Sequence, residues 1–295
     1  MPKLILIILM SLLMNFAIAK SNNDITHDTI VVFKPIRETY LITSANFNQF
    51  AQLETMVSPL VYKGMGASVS LGIQKRKNKT TTQFIAVYSK GNLYNKIQPK
   101  QYFAELVHVN ISASACYEIN KLQNRFVKPL IGWQIAQQSD FRRNAQFQNS
   151  NLTYNFTTTL SPVFRVEKWL SKTENKERKL FKKQRSMRFI YQLTIPLLAG
   201  VSRPSYNAIR VIHDGLGNAY QNSVTQEVIS QHKIYTLNHF FALNSVLSFE
   251  YFLKSGTRIS LQYYWNFENF NLVQSAYKVS QTGIQLSFHT RLNAL

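Results

Sequence analysis

The sequence predicts an all-β protein: a single antiparallel up-and-down β-barrel that spans a membrane. Apolar and polar residues alternate in about nine segments of roughly ten residues each, and a period of two places one side chain type on each face of a strand. These segments follow an export signal. Nine clear strands and one in the weakly patterned region before residue 60 predict about ten strands, with eight and twelve left open.

The N-terminus has the pattern of a cleaved signal peptide. Lys3 precedes an apolar run over 4–14, and Ala17 and Ala19 form a small-residue cleavage site. A membrane-anchoring helix needs about 20 apolar residues, whereas Asn15 interrupts this run early. We therefore predict that the mature chain begins after residue 19.

The mature chain is predicted to form one domain, with two alternatives for the structure of residues 20–60. Residues 1–19 are the signal peptide, and 20–60 form either a weak first strand or a plug, in which 46–56 has a more helical pattern. Residues 61–295 form the barrel. We find neither a Pro/Gly/Ser linker nor a clear internal repeat, which favours one domain over two.

The clearest strand lies at the C-terminus, over Gly283–Leu292, with the sequence GIQLSFHTRL. Its apolar face carries Ile284, Leu286, Phe288 and Leu292. A strand of this kind at the end of a chain resembles the assembly signal of bacterial outer-membrane β-barrel proteins, although that family usually ends on an aromatic residue and this chain ends at Leu295. The resemblance covers the architecture of the mature chain, without a family-specific motif, and implies a location in the bacterial outer membrane.

Composition predicts the partners and excludes bound metals. The net charge is +20, and an exported β-rich chain meets the phosphates of outer-membrane lipid, including lipopolysaccharide, before it meets any nucleic acid. The single cysteine, Cys116, cannot form an intramolecular disulfide. Since Cys and His residues show no metal-ligand spacing, we predict neither a metal nor a cofactor.

The connections between strands alternate in length, which predicts the topology. The longest, 199–233, is predicted to lie outside the cell and to be a candidate binding site for a protein partner. The most charged, 171–185, is predicted to face the periplasm. Two further loops are predicted over 137–150 and 266–280.

The polar faces of the strands predict an interior with more positive than negative charge. The candidate lumen-facing residues are His108, Arg165, Glu167, Arg188, Gln192, Glu250, Arg258, Gln262, Gln285, His289 and Arg291. About ten strands leave little spare width, so a narrow or filled polar lumen with a structural or partner-binding role is predicted. In the filled version, Arg258 and Arg291 pair with Glu250 and Glu167 across the interior. The alternative is a small-solute, anion-preferring porin, because rings of Arg or Lys line anion-selective pores.

An enzyme is the third and least favoured interpretation. The chain resembles outer-membrane phospholipases and lipid A deacylases in size and architecture, and such enzymes use a serine activated by a histidine two residues earlier on the same strand face. None of the six histidines has serine at that spacing. A Ser–His pair from different strands stays open, and we predict no catalytic residue.

Overall fold

The computed structural model describes residues 37–55, 58–95, 103–119, 127–143, 152–170, 187–203, 232–253, 256–271 and 276–292. The predicted signal peptide and most of the predicted 171–185 and 199–233 connections lie outside these residues. Every regular element in the described ranges is a β-strand.

Twelve strand segments follow one another along the chain. They are β1 (Arg37–Glu54), β2 (Ser58–Lys77), β3 (Thr80–Asn95), β4 (Phe103–Glu118), β5 (Val127–Arg143), β6 (Leu152–Leu170), β7 (Met187–Thr194), β8 (Leu198–Ser202), β9 (Lys233–Thr236), β10 (Phe240–Phe252), β11 (Arg258–Phe270) and β12 (Tyr277–Leu292).

The twelve segments form a closed antiparallel barrel of ten strands. Each segment from β1 to β6 pairs with the next, and β1 also pairs with β12, which closes the ring. Segments β7 and β8 both pair with β6, while β10 pairs with β7 and β9 with β8. Because β7–β8 and β9–β10 are each one interrupted barrel strand, the sheet has ten positions. The predicted fold class and strand number are confirmed.

A proline explains the interruption between β7 and β8. Pro196 cannot donate a backbone hydrogen bond, and it lies among three residues, Ile195 to Leu197, that belong to neither segment. The N–H groups on either side still bond to β6, since Ile195 donates to the carbonyl of Pro162 and Leu197 to that of Leu160. The wall of the barrel therefore stays continuous across this bulge.

Different connections between strands attach at the two ends of the barrel. We call the end with Arg37 and Leu292 the terminal rim, and the end with Glu54 and Ser202 the distal rim. At the terminal rim, β2 and β3 are joined by a tight turn in which Asn78 has a φ of 52°, a left-handed conformation that Asn tolerates. The 171–186 connection leaves and rejoins the barrel at the terminal rim, and the 203–232 connection does so at the distal rim. The sequence therefore placed these two connections at opposite ends correctly.

An apolar band surrounds the half of the barrel next to the terminal rim. Exposed side chains in this band are Val69, Leu71, Ile73, Ile131, Trp133, Ile135, Leu261, Tyr263, Ile284, Leu286 and Phe288. Buried side chains on the opposite faces of the same strands are mostly polar or charged. This is the apolar-out, polar-in pattern of a barrel in lipid.

The wall continues beyond this band towards the distal rim. Exposed residues there are a mixture of polar side chains, including Lys63, Lys90, Asn92 and Lys278, and apolar ones such as Met65. A membrane-spanning strand needs about 9–11 residues, whereas β2 has 20 and β1 has 18. The distal part of the barrel therefore projects beyond the apolar band, and its outer surface is mixed in polarity.

This projection corrects several sequence predictions. Residues 137–143 of the predicted 137–150 loop belong to β5, and both ends of the predicted 266–280 loop belong to β11 and β12. The 46–56 run is not helical, because 46–54 is part of β1. The described barrel thus includes residues 37–54, before the predicted boundary at 61. In the projecting wall apolar and polar side chains occur on both faces, with Phe50 and Leu93 buried inside and Met65 exposed outside, so the sequence alternation that marks a strand is lost.

Candidate functional site in the barrel interior

Charged side chains near the terminal rim form a connected network, which we call the terminal layer. Its members are Arg76, Glu118, Arg165, Glu167, Arg188, Glu250 and Arg258. Alternation along the strands turns all of them inward, because each lies in step with buried neighbours on its own strand.

Glu167 is the centre of one half of this layer. It is fully buried and lies 2.9 Å from Arg165, 2.9 Å from Arg188 and 3.4 Å from Arg76. Arg76 is on β2 and Glu167 on β6, four positions apart in a ring of ten, so their contact crosses the lumen. Arg76 also reaches Glu118 of β4 at 2.8 Å.

Glu250 is the centre of the other half. It lies opposite Arg188 in the register of β10 and β7, with a separation of 2.5 Å, and 3.2 Å from Arg258. Arg258 also donates to Oε1 of Gln74 at 2.6 Å. Since Arg258 is on β11 and Gln74 on β2, this bond also spans the interior, across three positions of the ring.

Aromatic rings hold the arginines of the terminal layer in place. The guanidinium of Arg258 lies 3.8 Å from the ring centre of Tyr40, and that of Arg188 lies 5.0 Å from Trp169 and 5.4 Å from Phe252. Cation–π contacts of this kind are worth about 2 kcal/mol or more when they are shielded from water. They also fix the planes of the guanidinium groups.

A second network, which we call the distal layer, joins opposite walls in the projecting part of the barrel. Glu54 of β1 lies 3.3 Å from Arg142 of β5 and also pairs with Arg203, directly after β8. Both arginines lie four ring positions from Glu54. Arg142 and Glu54 are buried.

Asp140 connects the distal layer to side chains on β4, β6 and β12. Nδ1 of His108 lies 2.5 Å from Oδ1 of Asp140, and the hydroxyl of Tyr277 donates to Oδ2 at 3.3 Å. Asn155 donates to the same oxygen at 3.4 Å. Because β12 and β5 are five positions apart in the ring of ten, Tyr277 and Asp140 come from directly opposite walls.

Neutral hydrogen bonds occupy the space between the two layers. The hydroxyl of Tyr264 bonds to Asn48, whose Nδ2 donates to Ser68 at 2.8 Å, and Gln285 donates to Ser44 at 2.9 Å. The tyrosine ring lies against Gly283, where an added Cβ would be 2.6 Å from the ring and hydroxyl atoms. A larger residue at 283 would displace the ring from the lumen.

Two small cavities lie within these layers. The cavity in the distal layer measures about 20 Å³ and the one in the terminal layer about 30 Å³. A site for one water requires roughly 10–15 Å³ on this measure. Each of these two cavities therefore has room for only a few water-sized species.

The structure places the predicted lumen residues as follows. Those on the interior side are His108, Arg165, Glu167, Arg188, Gln192, Glu250, Arg258, Gln262, Gln285 and His289. Arg291 instead lies at the terminal rim with 44% of its side chain exposed, 3.9 Å from Glu38. It lies at the end of β12, so it projects beyond the packed interior.

Several members of the two layers were missed by sequence reasoning. Arg76 was not among the predicted lumen-facing residues, Arg142 and Asp140 were assigned to a loop, and Glu54 to a helical run, whereas all four lie on strands. The inward position of Arg76 could have been predicted from the sequence. Arg76 lies two residues after Gln74, and side chains two apart on a strand point to the same face.

Among the described residues, one Ser–His pair from different strands is present. Oγ of Ser260 lies 3.2 Å from Nε2 of His289, and both residues are buried inside the barrel. A lipid hydrolase would need such a pair on the outer face, in contact with lipid. This pair is therefore placed to pack the interior of the barrel and not to contact lipid.

The described residues contain neither a metal-binding cluster of side chains nor a membrane-spanning helix. No group of three or more His, Cys, Asp or Glu side chains in these ranges is arranged to hold a metal ion. No helix among the described residues is long and apolar enough to cross a membrane.

The closed antiparallel ring, the outward apolar band and the polar interior together decide the class of protein. The protein is an outer-membrane β-barrel. No protein-family model matches the chain, and no curated protein matches it.

Similar solved structures include three bacterial barrels. The β domain of the Bordetella autotransporter BrkA has 8% identity and a TM-score of 0.40, covering 85% of this chain and 99% of that one. The transport unit of the autotransporter AIDA-I from Escherichia coli has 8% identity and a TM-score of 0.39, covering 92% and 95%. The outer membrane protease OmpT from Escherichia coli has 5% identity and a TM-score of 0.41, covering 90% and 100%. At this level of similarity they give this chain no substrate, partner or activity.

Proposed function

We propose that the protein is a closed barrel with a structural or partner-binding role, in which the side chains of the interior fill the lumen. The observation that carries this proposal is the pair of charged layers, each linking strands four or five ring positions apart. An open path for solutes would have to break both layers. Breaking buried ion pairs costs several kcal/mol for each uncompensated charge.

The projecting distal wall is the surface that we propose for partners. The 203–232 connection joins the barrel there, and connections longer than about 15 residues are usually functional or disordered. Exposed basic residues on this wall include Lys63, Lys90, Arg143 and Lys278. They complement the phosphates of lipopolysaccharide next to the apolar band, while the long connection is available to a protein partner.

An anion-preferring channel is the second candidate, and one observation favours it. The terminal layer contains four arginines and three glutamates, namely Arg76, Arg165, Arg188 and Arg258 against Glu118, Glu167 and Glu250. A lumen that opened at this level would present a net positive ring to solutes, which selects anions.

Solute uptake into vesicles separates these two candidates. Purified protein in liposomes is placed in isotonic solutions of sugars and of amino acid anions, and swelling is followed by light scattering. We expect no swelling above that of empty liposomes, while a known porin swells under the same conditions. Swelling in amino acid anions at porin-like rates would reject the closed barrel in favour of the channel.

Labelling of intact cells tests which rim faces outwards. With Cys116 first replaced by serine, we expect a membrane-impermeant maleimide to modify Asn218→Cys in the long connection and to spare Asn175→Cys at the opposite rim. Both positions should react after the outer membrane is permeabilised, which controls for accessibility. Reaction of only Asn175→Cys in intact cells would show that the terminal rim faces outwards.

A further inference from the structure

A small cavity lies within the terminal layer. It measures about 30 Å³, and its walls include Arg76, Arg165, Arg188 and Arg258 together with Glu167 and Tyr40. One water needs roughly 10–15 Å³. The cavity therefore has room for about two waters or one small inorganic ion.

The charge around this cavity does not balance. Its four arginines contact three carboxylates, those of Glu118, Glu167 and Glu250, which leaves one positive charge in excess (4 − 3 = 1), and Glu118 also lies 3.9 Å from Lys128, a further cation. A fourth acid, Glu38, also lines the cavity but is partly exposed and lies near Arg291, a further cation. Because a buried charge without compensation is costly, the excess favours an additional anion.

Two of the arginines also have unused donors at this cavity. The Nε–H groups of Arg165 and Arg258 are shielded from solvent and have no hydrogen-bond acceptor, and Oε1 of Glu167, which also lacks a hydrogen bond, already lies 2.9 Å from Nη2 of Arg165. Their side chains are only 6% and 4% exposed. Buried polar groups in folded proteins are almost always hydrogen-bonded to protein, water or an ion, so these donors point to an acceptor inside the cavity.

The three observations agree on the chemistry of that acceptor. The donors are cationic, which disfavours a metal cation, and the volume is too small for a multi-atom anion such as gluconate. Water would satisfy the donors but would leave the excess charge uncompensated. We propose that the cavity binds one small inorganic anion of the size of chloride or bromide, held by Arg165 and Arg258. This site is independent of the proposed partner-binding role.

Binding of the anion should stabilise the barrel. A ligand that binds only the folded state raises its stability according to ligand concentration relative to Kd. We therefore expect the midpoint of thermal unfolding of the purified barrel to be several degrees higher in sodium chloride or bromide than in sodium gluconate at equal ionic strength. Equal ionic strength removes the contribution of general screening.

Two variants and a crystallographic measurement make this test specific. Arg165→Gln and Arg258→Gln each remove the excess charge and one unused donor, so we expect either variant to lose the difference between chloride and gluconate. Arg142→Gln changes the distal layer instead and should retain it. Crystals grown in bromide should show an anomalous peak within about 4 Å of Arg165 and Arg258, a contact distance for a charged hydrogen bond to a large halide.

Each outcome decides the proposal. A bromide peak at this position together with a halide-dependent midpoint in the wild type supports it, even if one of the two arginine variants does not fold. Equal midpoints in chloride and gluconate would overturn it. A bromide peak without a shift in the midpoint would identify an adventitious ion only, and would also overturn it.

Discussion

Replacing Glu167 by glutamine is expected to lower the free energy of unfolding by about 3–5 kcal/mol, the range measured when one partner of a buried ion pair is removed. The fully buried Glu167 is in ionic contact with Arg76, Arg165 and Arg188. Its amide substitute retains the shape but leaves these guanidinium groups without their shared negative charge. The loss is measured by urea unfolding of the detergent-refolded barrel, followed by gel mobility of unboiled samples.

Glu38→Gln is the matched control for this change. Glu38 is also an acid near the terminal rim, but its side chain is 26% exposed and its pairing distance to Arg291 is 3.9 Å. Exposed pairs contribute about 0–1 kcal/mol, so Glu38→Gln and Arg291→Gln should both change stability little. Similar losses for Glu38→Gln and Glu167→Gln would show that the terminal layer is not a buried ionic network.

The second large effect is expected for Glu54→Gln in the distal layer. Glu54 is the acid that links Arg142 and Arg203 across the lumen, and removing it leaves both arginines without a carboxylate partner. We expect a loss of about 3 kcal/mol, at the lower end of the range for buried pairs, because the side chain of Arg203 is 10% exposed. The same urea unfolding measurement applies.

Glu105→Gln provides the control for the distal layer. Glu105 lies on β4 near the same rim, but it faces outwards and is exposed. Surface substitutions usually change stability by no more than about 0.5 kcal/mol. If Glu105→Gln destabilises the barrel as much as Glu54→Gln, the effect would come from net charge and not from the link across the lumen.

The sequence predicted the interior well wherever lipid surrounds the barrel. Glu250 and Arg258 were placed inward correctly because apolar residues on the same strands, such as Phe249 and Ile259, mark the outer face. The alternation of apolar and polar residues carries this information only while one face contacts lipid. Arg291 also follows the alternation, but the pattern does not show where the packed interior ends.

The sequence did not predict the distal layer, for a physical reason. In the projecting wall, outward residues such as Gln137 and Ser139 are polar, like the inward residues between them. Without a contrast between faces, Asp140 and Arg142 looked like parts of a loop. Glu54 was hidden in the same way, in a stretch of β1 where apolar and polar residues occur on both faces.

Contacts across the lumen depend on information that no single strand contains. Which residues meet depends on the number of strands and on their stagger around the ring. Pairing of Arg258 and Arg291 with Glu250 and Glu167 was one of two predicted alternatives. The structure has the Arg258–Glu250 pair, but Arg291 lies near Glu38 and Glu167 pairs with other arginines. The link from Arg76 to Glu167 could be recognised only once the ring of ten was closed.

Single-channel recording in planar bilayers tests the closed lumen most directly. We expect the wild-type protein to show no steady conductance, because both layers block the lumen. The double variant Glu54→Ala and Glu167→Ala removes the central acid of each cross-lumen link and leaves the arginines, so it should show openings that select anions. Heat-modifiable mobility of the variant confirms that it has folded. Steady conductance of the wild type at the level of the double variant would contradict the closed barrel.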